Sequence, residues 1–218
     1  MNSIIQYAFP MFQGTFVTIA SWILASSVSL LLGIMIGTVS CNYLASPRCA
    51  ALVKIYTFIT KGIPVYIQIL IVYFVLPSLL GINIPGFIAA NGALAFCSSG
   101  YVTEIIRAGI NTIPRGQWDS CFTLGYPLYS TLRRIILPQT IQNVLPALCG
   151  ELEQLLKSTS LLATIGITEI TRTGMNIISR ELNPLPIYLT IAGIYLVLSA
   201  FLRLVIFTIK RRMRYGYR

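Results

Sequence analysis

The chain has 218 residues, 56% of them hydrophobic and only 10% charged, with a mean hydropathy of +0.77. A soluble domain carries about 25% charged residues, so this chain lacks the charge to cover a water-facing surface and reads as an integral membrane protein. Its formal net charge of +10 would suggest nucleic acid in a soluble protein. Here the cations cluster between and after apolar runs, where the positive-inside rule accounts for them, and nucleic acid is not expected as a partner.

No Lys or Arg precedes Arg48. A cleavable signal peptide needs a positive n-region, so the first apolar segment is expected to be retained. Asn2 to Phe12 mixes aromatic and apolar residues around Pro10 and reads as a short interfacial helix. Thr15 to Val39 is long enough to cross a hydrocarbon core of about 30 Å at about 1.5 Å per residue. Gly33 and Gly37 form a GxxxG pair that allows close helix contact. Arg48 and Lys54 mark a cytoplasmic turn. Ala50 to Leu80 is apolar but interrupted by Thr60, Lys61, Gly62 and Pro64, so a break or bend is predicted near Lys61. Pro77 to Gly86 reads as an outer turn, and Phe87 to Ile106 returns to the cytoplasm. Glu104 and Arg107, three apart near its inner end, share a helix face and are placed to pair.

Ile113 to Pro138 is the one long segment too polar for lipid. A short helix is predicted over Trp118 to Leu124, with Asp119 in its first turn, where a negative charge suits the helix dipole. Gly125 is placed to stop it in the left-handed conformation, and Pro127 suits the start of a second helix. There Leu128, Leu132, Ile135 and Ile136 share an apolar side, while Ser130, Arg133 and Arg134 are polar. The pattern reads as an exposed docking knob of two short helices; an ordinary amphipathic connector fits the periodicity equally.

Thr140 to Leu156 is the least apolar span. Asn143, Ala147, Gly150, Gln154 and Ser158 recur at helical spacing as a small, polar stripe. Glu151 and Glu153 flank it, and an intramembrane carboxylate normally faces the bundle interior or a water-filled path. Glu153 has Lys157 four residues on, in the favourable order for an ion pair. Glu151 has no such local partner and is the better candidate to line a path. Leu161 to Asn183 reads as an outer surface helix and loop. Pro184 and Pro186 start a last span to Ile209, in which Arg203 is expected to snorkel, and the basic tail from Lys210 to Arg218 is expected in the cytoplasm. The fold class is therefore all-α and polytopic, with about five spans, the N-terminus outside and the C-terminus inside.

Catalytic chemistry is not expected. There is no histidine, which excludes a Ser/His or Cys/His pair, and the single aspartate, Asp119, excludes an aspartate dyad. No GxxxxGK-Ser/Thr phosphate loop, GxGxxG, HExxH or GxSxG motif occurs. The five cysteines, Cys41, Cys49, Cys97, Cys121 and Cys149, form no CxxC pair; neither a disulfide framework nor a metal site is expected, and they read as small buried residues.

The polar segment resembles the EAA loop of ABC-importer permeases: Glu-Ala-Ala, three residues, Gly, nine residues, Ile, one residue, Leu-Pro. Asp119, Ser120 and Cys121 stand at the first three positions, Gly125 at the glycine, Ile135 at the isoleucine, and Leu137 with Pro138 at the close. Asp for Glu and Ser-Cys for Ala-Ala are departures. EIIRAGINTIPRGQWDS, ILPQTIQNVLPAL and LLKSTSLLATIG are similar to the surrounding segments of polar amino-acid permeases, and KGIP at Lys61 to Pro64 stands where that family usually has Arg-Gly-Thr-Pro. The resemblance implies a type I importer in the bacterial cytoplasmic membrane. It pairs two permease chains, identical or related, with two ATP-binding subunits and an extracytoplasmic solute-binding protein. ATP is then bound by the partner, and this chain itself holds no cofactor. Asp119, Ser120, Cys121, Gly125, Leu137 and Pro138 are implied at the ATPase contact, where Asp119 is suited to a charge-assisted bond to a basic group. Glu151, Gln154, Lys157 and Ser158, with Lys61 nearby, are the expected path for a polar amino acid; sealing of polar contacts between helices is the competing account. An ion-coupled secondary transporter is the alternative function, but it predicts an internal inverted repeat, and none is visible.

Overall fold

The computed structural model describes residues 2–215, and the last three residues of the expected cytoplasmic tail lie outside them. The first element, α1 (Asn2–Val39), is a single helix of 38 residues that runs through Pro10. The expected interfacial helix is therefore continuous with the first span. Proline removes one backbone donor, and membrane helices tolerate that loss where neighbouring groups satisfy the freed carbonyl.

The predicted break is present. Helices α2 (Pro47–Gly62) and α3 (Val65–Leu80) meet at 97°. Pro64 has no N–H to offer the carbonyl of Thr60, four residues back. Gln68, buried on α3, replaces it: its amide donates to the carbonyls of Thr60 (2.8 Å) and Ile63 (2.7 Å). Pro77 starts the last α-helical turns of α3 after a π turn at Ile71–Val75, so the helix continues to Leu80. The expected outer turn thus begins at Gly81, whose φ is +63°.

α4 (Gly86–Asn111) is the hub, packing on α1, α2, α3 and the long helix that follows the knob. A Cβ on Gly33 would stand 2.4 Å from Val102 Cγ1, and one on Gly37 would stand 2.8 Å from the Thr103 carbonyl. The GxxxG pair thus lets α1 lie directly on α4. On its other sides α4 supplies the glycines: a Cβ on Gly100 would meet Thr60 Oγ1 at 1.9 Å. The short knob helix α5 (Arg115–Thr123) follows. Then α6 opens as Leu128–Thr131, passes a π turn at Leu132–Ile136 and runs on as Leu137–Ser158. A Cβ on Gly109 of α4 would meet its Val144 Cγ1 at 2.2 Å.

A 3-10 turn at Thr159–Ile165 leads to α7 (Ile170–Glu181), and α8 (Pro184–Tyr215) is the last element among the described residues. Glu169, buried, caps α7 by accepting from the N–H groups of Thr171 (2.9 Å) and Arg172 (2.7 Å). Met11, Ile170, Ile177, Ile187 and Ile191 bind α1, α7 and α8 into one cluster.

Among the described residues, two helices qualify as membrane spans by length and composition, Tyr7–Val39 and Pro184–Arg211, and the bent pair makes a third if it is one span. α4, with 26 residues, and Leu137–Ser158, with 22, are also long enough to cross. Both carry more polar residues than a lipid-facing span; on α4 these face other helices, and Asn91, Ser98, Ser99 and Thr103 are all buried.

Two expected ionic arrangements change. Glu104 pairs with Lys61 of α2 rather than with Arg107. Arg203, whose expected arrangement was unpaired, reaches α6, where Nε and Nη2 each donate to Glu153 at 2.9 Å. Glu153 also takes the Lys157 ammonium at 2.9 Å, the pairing its spacing predicts. All five cysteines are free, and Cys41 and Cys121 are buried as expected while the other three are half-buried.

Gly33→Leu is expected to destabilise the protein by about 1–3 kcal/mol, the range for overpacking a tight contact. Gly92→Ala, where a Cβ meets nothing within 4 Å, should be neutral. Thermal unfolding in detergent, followed by fluorescence size exclusion, compares the two.

Candidate functional site: an exposed knob and a polar pocket

The knob is built from α5 and the first turns of α6. α5 begins four residues before Asp119, so Asp119 lies beyond the first turn, and the expected dipole interaction does not form. Its carboxylate instead accepts from the Tyr43 hydroxyl at 3.2 Å. Tyr43 belongs to the loop between α1 and α2. Its ring stacks on buried Trp118 with centroids 4.5 Å apart and planes 12° apart, and on Phe122 at 6.1 Å. Partial burial and then the Asp119 carboxylate raise the Tyr43 phenol above its ordinary value, which keeps it the donor in this bond. Beside it the Asn42 N–H donates to Asn111 Oδ1 at 2.9 Å. The end of α1 is thereby tied to the knob through space.

Gly125 closes α5 with φ +78°. Its N–H donates to the Phe122 carbonyl at 2.9 Å and the Tyr126 N–H to the Cys121 carbonyl at 3.0 Å, a Schellman-type stop. Pro127 then precedes the next helix as its cap, one position earlier than a first-turn proline. Gln139 of α6 donates to Gln117 of α5 at 2.8 Å and fixes the two halves.

Of the residues implied at the ATPase contact, Asp119, Ser120 and Gly125 are exposed on the knob. Cys121 is buried, and Leu137 and Pro138 are half-buried, Leu137 against the core around Ile136. These three support the knob from within. The outer surface is formed by Leu128 together with Phe122, Leu124, Tyr126 and Tyr129, four side chains not singled out from the sequence; all five are exposed, Leu124 at 76% and Tyr129 at 68%. Their signal was five apolar side chains within a segment otherwise too polar for lipid. Arg133 lies over the Tyr129 ring at 5.9 Å and donates to its hydroxyl at 3.0 Å. An exposed apolar patch rimmed by cations marks an interaction site.

The second feature is a cavity of about 340 Å³ where the α2–α3 bend faces α4 and α6, lined in part by Lys61, Ser98, Tyr101, Glu151, Gln154 and Ser158. The bend leaves Lys61 at its edge. Ser98 donates to Glu151 at 2.6 Å and accepts from Ser29 of α1 at 2.9 Å. Lys61 pairs with Glu104 and lies 5.3 Å from the Tyr101 ring centre. The structure therefore brings Lys61, Glu151, Gln154 and Ser158 together on one cavity. Lys157 is not in its lining: its ammonium is held with Glu153, on the side of α6 that faces Arg203 of α8. Ser98, Tyr101 and Glu104 were not foreseen here, since only the folded contacts set them beside α2 and α6.

A fold of this kind, with a docking knob between two helices that also line a polar cavity, defines a membrane-embedded transport subunit. Residues 29–215 match the family of binding-protein-dependent transport system inner membrane components, and the chain belongs to that family. It is similar to the arginine transport system permease protein ArtQ of Bacillus subtilis (strain 168), at 32% identity over 93% of this chain and 91% of that one. It is also similar to a putative glutamine transport system permease protein GlnP of Rickettsia typhi, at 35% identity over 73% of this chain and 72% of the relative. Among solved structures, an amino acid ABC transporter with histidines matches with a TM-score of 0.84 and 32% identity, over 96% of this chain and 97% of that chain. The inward-facing MetNI methionine ABC transporter shares the fold, with a TM-score of 0.79 at 16% identity.

Tyr43→Ala removes both the ring stacking and the bond to Asp119. Aromatic pairs are worth about 0.5–1.5 kcal/mol beyond burial, so backbone amides of α5 should exchange roughly three- to tenfold faster than in wild type, with Tyr43→Phe in between. Hydrogen exchange resolved over residues 115–126 checks this.

Proposed function

We propose that this chain is the permease subunit of an ATP-driven importer of polar amino acids in the bacterial cytoplasmic membrane. It works with a second permease chain, two ATP-binding subunits and an extracytoplasmic solute-binding protein. The knob end faces the cytoplasm. Arg115, Arg133 and Arg134 lie there, which agrees with the positive-inside rule; the N-terminus is outside and the basic C-terminus inside. ATP is bound and hydrolysed by the partner, and this chain supplies no catalytic residue.

The observation that carries the reading is the knob's exposed apolar surface. A secondary transporter has no use for a rigid, partner-sized surface outside lipid, whereas an ATP-binding subunit needs one to grip. α4 and α6, which hold the knob, also line the polar cavity. A displacement of the knob therefore acts on the cavity walls, which is the step that alternates access between the two faces. Asp119 serves this surface from behind, through its bond to Tyr43. The cavity offers a cation, Lys61, and a carboxylate, Glu151, within one enclosure. A zwitterionic amino acid presents the complementary pair, its α-ammonium for Glu151 and its α-carboxylate for Lys61. The relatives named for arginine and glutamine transport support this substrate class.

Reconstitution in liposomes with the ATP-binding subunit tests the reading. Gly125→Val forces a β-branched residue to φ +78°, and Asp119→Lys breaks the brace. Both are expected to abolish uptake while the ATP-binding subunit keeps its nucleotide affinity. Uptake that proceeds without nucleotide hydrolysis would overturn the assignment. Glu151→Gln is expected to change rate or selectivity; unchanged transport of every amino acid tried would remove Glu151 from the path.

A further inference from the structure

Lys61 is shared between two places. Its side chain lines the polar cavity, yet its ammonium is paired with Glu104, which does not line it. Glu104 lies one turn beyond Tyr101 on α4, and Lys61 reaches it past the Tyr101 ring. Neither partner is locked in the core: their side chains are 33% and 35% exposed. An ion pair so exposed is worth about 0–1 kcal/mol, and lysine's flexible four-carbon stem lets its ammonium change partner. One turn further along the same face stands Arg107, which forms no ion pair among the described residues. At this spacing a freed Glu104 meets Arg107 directly.

We infer that Glu104 is a specificity-determining residue that competes with the substrate's α-carboxylate for Lys61, with Arg107 as its alternative partner. This rests on the cavity being the amino-acid path. In the empty protein Lys61 is held by Glu104. When an amino acid enters, its α-carboxylate takes Lys61, its α-ammonium takes Glu151, and Glu104 turns to Arg107. Release reverses the exchange. Lys61 and Glu104 each keep a charged partner in both states, which matters because an unpaired charge inside a membrane protein is costly. The exchange is balanced because one carboxylate replaces another on the same ammonium, so a substrate is neither excluded nor trapped. A solute without a carboxylate cannot drive it.

The arrangement predicts opposite effects from two neighbouring substitutions. Glu104→Gln frees Lys61 and should tighten amino-acid binding about two- to fivefold, the span of a surface ion pair, while slowing turnover because nothing recovers the lysine. Arg107→Gln leaves Glu104 no other partner and should weaken binding by a similar factor. Lys61→Gln should lose the preference for an amino acid over its α-amide. The measurement is calorimetric titration of the intact permease–ATPase complex in nanodiscs. Each of the twenty L-amino acids is the probe, followed by the α-amide of the tightest. Tightening by Glu104→Gln, weakening by Arg107→Gln and an amide indifferent to both support the exchange. If Lys61→Gln and Glu151→Gln weaken binding but Glu104→Gln and Arg107→Gln shift it in the same direction, the exchange is overturned and the cavity assignment stands. If no amino acid binds wild type or any variant, the cavity assignment fails and the exchange with it.

Discussion

The contact on which the structure depends is the crossing of α1 and α4 at Gly33 and Gly37. Lipid is as apolar as leucine, so two membrane helices gain little from the hydrophobic effect when they meet; they gain from close packing and from shared hydrogen bonds. The glycines remove the side chains that would hold the backbones apart, and one turn or so away Ser29 and Ser98 complete a buried bond at 2.9 Å. α4 repeats the device with Gly100 against α2 and Gly109 against α6. A hub with a glycine at each of three helix contacts, one supplied by α1 and two by α4 itself, fixes its neighbours by shape, and so fixes where Ser98, Tyr101 and Glu104 stand relative to Lys61 and Glu151.

α1 gives the knob a second route into the membrane. Covalently the knob is joined to α4 and α6. Through Tyr43 and Asn42 it is also joined to the end of α1. At the other end of that helix Gly14 lies against α7, where a Cβ would meet Ile170 Cα at 3.0 Å, and Thr18 Oγ1 accepts from the Ile170 N–H at 3.2 Å. α1 is thus a continuous rod of 38 residues pinned to the knob at one end and to α7 at the other. The knob and α7 are thereby tied to the same helix.

Much of this was legible from spacing, because spacing reports what a residue meets on its own helix. Pro64 after Lys61 and Gly62 marked the bend, Gly125 marked the left-handed stop, and Glu153 with Lys157 marked an ion pair. The errors share a cause. Glu104 and Arg107 are equally well spaced, but Lys61 from another helix takes Glu104 first. Asp119 looked like a dipole partner because the helix start was placed at Trp118; Pro114 starts the helix earlier, and the real partner, Tyr43, lies 76 positions away. Lys157 carries the polarity expected of a path residue but faces Glu153 and α8. Pro77 read as the start of a turn, yet it is absorbed into a helix. Pairings across helices leave no periodic trace in the chain, and proline alone does not say whether a helix ends or bends.

The polar residues on α6 show how such pairings divide one helix into two surfaces. Glu151 and Glu153 are two apart, so they point to different sides. Glu151 turns to Ser98 and the cavity, with an uncharged partner that leaves its carboxylate able to accept a cation. Glu153 turns to Arg203 and Lys157 and is fully occupied by both. α8 is strongly apolar and offers few side chains that discriminate one neighbour from another, so the bidentate Arg203–Glu153 bond supplies the register that apolar packing in lipid does not. One carboxylate is thereby spent on holding the bundle together and the other is left facing the cavity. The difference follows from which cationic side chains lie within reach of each.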